Sequence, residues 1–505
     1  MIAALTISLL GAAPALEPSL ISARGPGAIA HRVALLPSLG VAQATAGGAA
    51  PEPAGGAALT LDDVLQAADR AYPSLAAAQA DLEAADAEAL SAAGGFDPVA
   101  KARGYLIPPS LGPYPQVRVD SAVEGAIPGT PVTLFGGYRI GQPLSSTGIQ
   151  TYYRERETYP AGELRAGLSA PLLRNLLIDR RRASISRAAL GQDGARQAQT
   201  LQRIEVTRLA ALRYWEWVAA GRRREVARSL LAIAEDRDRQ LAVRVKTGDV
   251  PFFDQQDNLR AVAQRRSLLV QTQRAVEQAS FELALFLRDG DGAPTQPLDA
   301  QLPASFPEPL PSFGDEGTLD EALSRRPDVQ RLVVQQRQQE IDLSLARNQL
   351  WPALDMGVVF SQDLGRNAGT ADPKLNVPEL ELFAILEVPL LYRLPMGRVR
   401  AAEAGLAKVA AQLRLARDRV AADVKDARSA LEAARARVIL ARQEVDVARK
   451  LEAGERQKFA LGDSTLLFVN LRETQSAEAS LREIDSLQDY HRAVALFRAA
   501  VAAPF

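Results

Sequence analysis

The sequence contains no cysteine, two histidines, three methionines and only 5% aromatic residues in 505 positions. Each scarcity removes a class of chemistry. Without cysteine there are no disulfides, no thiolate metal sites, no thiol nucleophile and no lipid-modified N-terminal cysteine. His31 lies in a segment that export would remove, which leaves His491 as the remaining imidazole. A histidine-based triad or a multi-histidine metal site does not fit that count. Met1, Met356 and Met396 are too few for a soft-metal relay. Acidic and basic residues balance to a net charge of −1, which argues against general nucleic-acid binding. There is no glycine loop for a phosphate and no constellation of nucleophile, base and orienting group, so neither a cofactor nor an enzymatic role is expected. Alanine, leucine, arginine, glutamate and glutamine are abundant instead, the composition of long helices.

Residues 1–16 are largely apolar and end at Glu17. The run is too short for a transmembrane helix and about the length of a signal-peptide core, although no Lys or Arg directly follows Met1. A second candidate places His31-Arg32 before VALLPSLGV and Ala42-Gln43-Ala44. Residues 1–44 therefore read as a signal peptide or leader, with a disordered Ala/Pro/Gly leader as the alternative. Residues 45–59 read as flexible linker.

The rest of the chain repeats itself. Thr60-Leu61-Asp62-Asp63-Val64-Leu65 recurs as Thr318-Leu319-Asp320-Glu321-Ala322-Leu323. Pro73 precedes Pro98 by 25 positions, as Pro327 precedes Pro352. Pro171-Leu172-Leu173 stands before Arg182-Ala183 as Pro389-Leu390-Leu391 stands before Arg400-Ala401. Gly248-Asp249 matches Gly462-Asp463, and Ala284-Leu285-Phe286 matches Ala495-Leu496-Phe497. Five landmarks in one order define two copies, 60–290 and 317–503, joined by a proline-rich connector over 291–316.

Each copy reads as helix, strands, very long helix, turn, helix. Thr60 and Thr318 precede acidic residues in the positions of an N-cap and first turn. No proline occurs between Pro171 and Pro251, or between Pro395 and Pro504. Long helices are expected over 172–247, 252–288, 396–461 and 464–501. The stretch 396–461 would span about 100 Å as a helix. Leu406, Val409, Leu413, Val420, Val424, Leu431 and Val438 recur at three and four spacings, which implies a coiled coil or helical tube. Strands are expected near 99–107, 162–170, 353–361 and 379–388. In the last, Leu380, Leu382, Ala384, Leu386 and Val388 share one face, while Glu379, Glu381 and Glu387 share the other with Phe383 and Ile385. Ten-residue amphipathic runs have the length of transmembrane β-strands. A soluble hairpin capping a helical bundle is the alternative. The stretch 108–161 is either a long surface loop or an extra hairpin around 119–140. Four strands cannot close on themselves, and lipid tolerates no open edge, so membrane strands would have to be pooled by several chains.

These features resemble the TolC family of bacterial outer-membrane efflux proteins. The resemblance is carried by TLDDVLQAADRAYPSL (60–75), Gly94-Gly95-Phe96-Asp97-Pro98, the two Pro-Leu-Leu strand exits, TGDVPFFDQQDNLR (247–260) and LGDSTLLFVNLRE (461–473). The duplicated order over 60–503 makes it specific, rather than any one motif. It implies a mostly α fold with a small β part: a homotrimer whose chains each give four strands to a shared twelve-stranded outer-membrane barrel, above a coiled-coil α-helical periplasmic tunnel. It implies a periplasmic adaptor, an inner-membrane pump of RND, MFS or ABC type, and export of small molecules or secreted proteins. A periplasmic coiled-coil adaptor or scaffold without a pore is the alternative function.

Gly248, Asp249, Gly462 and Asp463 fall at the expected helix-turn-helix tips, where the family meets its adaptor; a plain helix C-cap is the blander reading, and the two are compatible. Asp254 and Asp257 lie three apart on one helix face, and three copies would make carboxylate rings that attract cations in a pore. In the resemblance such rings come from the second repeat, where this chain has Phe468 and Leu471. The expected constriction is therefore Asp254 and Asp257 combined with Phe468 and Leu471, against the alternative of solvated carboxylates at a helix start. Trp351 precedes Pro352 at a helix-to-strand boundary, the place of a membrane-interface aromatic or of a packing residue. Trp215 and Trp217 read as helix-packing residues, and Phe505 as a helical chain end.

Overall fold

The computed structural model describes residues 58–108, 116–143, 158, 161–308, 310, 318–365 and 377–504. The leader 1–44, most of the linker, part of the connector and Phe505 lie outside them.

The chain runs α1 (Leu61–Ala71), α2 (Pro73–Ala93), β1 (Val99–Ile107), β2 (Gln116–Ala126), β3 (Thr133–Pro143), β4 (Glu163–Pro171), α3 (Arg180–Thr247) and α4 (Phe252–Ala284). It continues with α5 (Leu319–Arg325), α6 (Pro327–Asn348), β5 (Ala353–Asp363), β6 (Glu379–Glu387), α7 (Arg393–Ala460) and α8 (Leu466–Ala500). The duplication is visible element by element. α1 and α5 open on Thr60 and Thr318, whose side chains accept from Asp63 N and Glu321 N. α2 and α6 both start with proline at the first helical position, where a missing N–H costs nothing. α3 and α7 have 68 residues each, roughly 100 Å of helix. No helix among the described residues is long and apolar enough to cross a membrane.

Packing follows the apolar periodicity. On α7, Val409, Leu413, Val420, Val424, Leu431 and Val438 are buried and Leu406 is half-buried. Their three, four and seven spacings bring them onto one seam, a heptad pattern. The main core lies half-way along the helices, where Tyr214, Trp215 and Trp217 of α3 meet Phe286, Phe306, Tyr490 and Phe497. Trp215 stacks on His491 with ring centroids 4.0 Å apart, and Phe306 lies against both rings, 5.5 Å from His491 and 5.9 Å from Trp215. Both tryptophans of α3 are thus packing residues.

Several boundaries differ from those expected. α3 begins at Arg180, not 172, because Asp179 caps it: its carboxylate accepts from Arg181 N and Arg182 N. The preceding residues form an irregular exit in which Asn175 adopts φ 70°. α4 ends at Ala284, short of 288; α7 starts at Arg393, ahead of 396; and α8 starts at Leu466 after N-cap Thr465, not at 464. The linker reading 45–59 fails at its end. Leu59 is buried, its N–H donates to Gln301 O at 2.8 Å, and its carbonyl accepts from Tyr214 Oη at 2.9 Å.

The largest correction concerns the sheet. Among the described residues it has six strands, in the order β1-β2-β3-β4-β5-β6, all antiparallel to their neighbours. Part of 108–161 forms the hairpin β2–β3, so each chain carries two strands beyond the four that the resemblance implies. The hairpin runs the full height of the sheet. Glu124 of β2 pairs with Val99, the first residue of β1, and Thr133 of β3 pairs with Ser169, near the end of β4. Its turn, with Gly129 at φ 74°, therefore lies on the helical side.

Candidate functional site

The register sorts every strand residue onto one of two faces, since residues directly opposite share a face. One face carries Ala100, Ala102, Gly104 and Leu106 of β1 beside Val117, Val119, Ser121 and Val123 of β2. It continues through Leu134, Gly136, Tyr138 and Ile140 of β3 to Leu164, Ala166 and Leu168 of β4. It ends with Met356, Val358 and Phe360 of β5 and Leu380, Leu382, Ala384 and Leu386 of β6. Among the described strand residues, none on this face is charged. Leu106, Val123, Leu164, Phe360, Leu380, Leu382 and Leu386 are all exposed on it. A contiguous exposed apolar face of this kind marks a contact surface, with lipid or with another protein.

The opposite face holds all the strand charges. Lys101 pairs with Glu124, and Arg139 pairs with the buried Glu163. Arg118 lies 3.8 Å from Asp120 and stacks over the Tyr105 ring at 4.4 Å. Arg165, Asp355 and Asp363 belong to the same face, as do Glu379, Glu381 and Glu387. Phe135 and Phe383 lie over Gly167 and Gly357 of neighbouring strands, where an added Cβ would run into the rings. Such aromatic–glycine pairs cover bare backbone on a curved sheet. Trp351 is exposed where α6 gives way to β5.

At the far end of the long helices the two turns are built alike. Gly248 N–H donates to Val245 O and Asp249 N–H to Arg244 O; Gly462 N–H donates to Phe459 O and Asp463 N–H to Lys458 O. Both are Schellman caps, closed by glycine at φ 80° and 86°. α4 and α8 each start four residues after their glycine. Asp249, Asp254, Asp257 and Gly462 line a cavity of about 610 Å³ between the two tips, shared with Arg244, Arg260 and Leu466. Asp257 is exposed and sits 3.9 Å from Arg260. Phe468 and Leu471 are exposed and do not line this cavity, although their neighbours Leu467 and Asn470 do. Phe252 and Phe253, exposed and in edge contact at 6.2 Å, add an apolar element to the first tip.

A charged cluster that residue-by-residue reading missed joins the two hairpins. Glu473 of α8 has a fully buried side chain. Arg237 of α3 donates to its Oε1, Arg265 of α4 to its Oε2 at 3.0 Å, and Arg456 of α7 to Oε1 at 3.2 Å. Arg265 also donates to Leu230 O at 2.9 Å, and Arg456 pairs with Glu452 at 2.6 Å. Burial outweighs the carboxylate's pull and lowers the pKa of the Arg237 guanidinium. The signal was present in the spacing: Leu466, Val469, Glu473 and Ser476 step by three and four, which puts a carboxylate on the seam of α8.

The sequence matches no family model, and no curated protein matches it. Solved structures do. A membrane protein from Pseudomonas aeruginosa superposes with a TM-score of 0.63 at 19% identity, over 87% of this chain and 92% of that one. The Campylobacter jejuni CmeC outer membrane channel gives 0.62 at 13%, over 87% and 85%. The Vibrio cholerae outer membrane protein VceC gives 0.61 at 16%, over 88% and 96%. At these identities the likeness is one of fold, and the fold is that of the TolC-like outer-membrane channels.

Proposed function

From this TolC-like fold we propose that the chain is an outer-membrane channel protein, an export duct rather than an enzyme. The observation that carries the reading is the sheet: strands of nine to eleven residues present one charge-free apolar face and one charged face, and short irregular exits lead from β4 and β6 into 68-residue helices. An antiparallel strand of that length crosses a bilayer when tilted. The apolar face meets lipid, the charged face lines water, and the helices extend as a tunnel into the periplasm. Three copies form the duct. The tips at Gly248, Asp249, Gly462 and Asp463 meet a periplasmic adaptor, and an inner-membrane pump of RND, MFS or ABC type drives small molecules or secreted protein through. Asp254 and Asp257 supply carboxylates at the tip, and Phe468 with Leu471 the apolar part of the closure; Trp351 sits at the membrane interface.

Expression in a Gram-negative host, membrane fractionation and an unboiled gel test this reading. An outer-membrane trimer that conducts in a planar bilayer is expected. A water-soluble periplasmic species without conductance refutes it and leaves the adaptor or scaffold reading. In the same bilayer, Asp254→Ala is expected to raise conductance and weaken block by divalent cations; unchanged values of both remove Asp254 from the closure.

A further inference from the structure

Among the described residues the sheet has two open edges, β1 and β6. Their charges are opposite. On the charged face β1 carries Lys101 and Arg103 and no acid, while β6 carries Glu379, Glu381 and Glu387 and no base. β1 runs away from the helices and β6 returns to them, so the two edges are antiparallel to each other. Copies standing the same way up in a membrane can therefore join β6 of one to β1 of the next in antiparallel fashion. Pairing like edges would instead invert one copy and set Lys101 and Arg103 against themselves, or glutamates against glutamates. Head-to-tail pairing is heterologous and closes as a ring.

We infer that β6 of each copy pairs with β1 of the next, and that three copies close into a barrel of eighteen strands. The count of three rests on the proposed function; the six strands per copy and the seam chemistry come from this chain. β2 and β3 belong to the barrel wall because they reach the helical end of the sheet and continue both faces without interruption: Val117, Val119 and Val123 with Leu134 and Ile140 on one, Arg118, Asp120 and Arg139 on the other. At about 4.8 Å per strand and a tilt near 40°, eighteen strands enclose roughly 36 Å between strand axes, against roughly 24 Å for twelve. Four helices per copy, α2, α3, α6 and α7, stand next to the sheet. Twelve helices spaced about 10 Å apart make a ring of roughly 38 Å, so the wider barrel matches the tube beneath it. With strands drawn level, Lys101 lies diagonal to Glu387 and Arg103 to Glu381 across the seam. Lys101 already holds Glu124, so it bridges two chains.

Because the chain has no cysteine, paired substitutions read the seam directly. Ala102→Cys on β1 is combined in turn with Leu380→Cys, Leu382→Cys, Ala384→Cys and Leu386→Cys, and the oxidised outer membrane is run boiled and non-reduced. One register is expected to give covalent trimers that vanish on reduction. Val123→Cys with Gly136→Cys, opposed within one chain, reports that the sheet has folded. Electron cryomicroscopy of the cysteine-free trimer counts strands, and eighteen are expected. An outer-membrane trimer with twelve strands in the wall, or with no crosslink from any of the four pairs while the control pair forms, overturns this inference and leaves the channel reading intact. A monomer or a soluble protein overturns both.

Discussion

Replacing Glu473 by Gln tests whether the buried cluster ties the two helical hairpins together. The amide keeps the shape of the carboxylate and removes its charge. Arg237 and Arg265, with side chains 10% and 7% exposed, then lose their counter-ion, and only Arg456 keeps a carboxylate, Glu452. Removing one partner from a buried ion pair costs about 3–5 kcal/mol, because the remaining charge stays desolvated. Glu473 lies seven residues beyond Leu466, the first residue of α8, about 10 Å up the helix. The cost should therefore appear as loosening near the tips while the central core holds. Hydrogen exchange on the detergent-solubilised protein is the assay. Amides of α4 and α8 on the tip side of Arg265 and Glu473 should exchange at least tenfold faster, with those around Trp215 unchanged. A variant with Arg237→Leu, Arg265→Met and Glu473→Leu together should recover most of the protection, since an apolar replacement of a whole buried cluster is close to neutral. Unchanged exchange in Glu473→Gln, or a triple variant worse than the single one, would refute the clamp.

Acid should weaken the middle of the molecule. Burial against Trp215 and Phe306 lowers the His491 pKa from 6.5 to about 4. Between those values the unfolded chain takes up a proton that the folded chain refuses, so this contribution is complete above pH 6.5 and falls by about 3 kcal/mol as the pH drops to 4. Thermal melts across that window should show the loss, and His491→Phe should flatten it. Gly248→Ala forces φ 80° on a residue with a Cβ but meets nothing within 4 Å, so it should cost about 1 kcal/mol in stability and leave the tip otherwise unchanged. Gly357→Val sets a side chain against Phe383 and the Leu168 carbonyl, and should cost on the order of 1–3 kcal/mol, read as a lower dissociation temperature of the proposed trimer on unboiled gels.

The helical part was legible because its signals are redundant. Thr60, Thr318, Pro73 and Pro327 mark helix starts by side-chain chemistry that acts locally. The spacing of Val420, Val424, Leu431 and Val438 marks a seam without reference to anything distant. The strands β5 and β6 were legible for the same reason, since alternation is local. What escaped depended on partners far away in sequence. The β2–β3 hairpin stayed ambiguous because Gly136, Gly137 and Gly141 dilute the alternation; their place is set by pairing with β2 and β4. The Glu473 cluster draws on four helices, and no window of sequence contains it. Leu59 looked like linker until its partners, Gln301 and Tyr214, came from more than 150 residues away.

The two open edges also order events in time. A lone copy can fold its helices in water, because their seams and the core around Trp217 close within one chain. Its sheet has no such option: six strands with an exposed apolar face and two unpaired rows of backbone groups are an aggregation hazard until neighbours arrive. If copies join through these edges as proposed, the strand region matures last and in a step that depends on concentration, so slowing subunit encounter should accumulate a helix-rich, sheet-poor species rather than an inserted single chain.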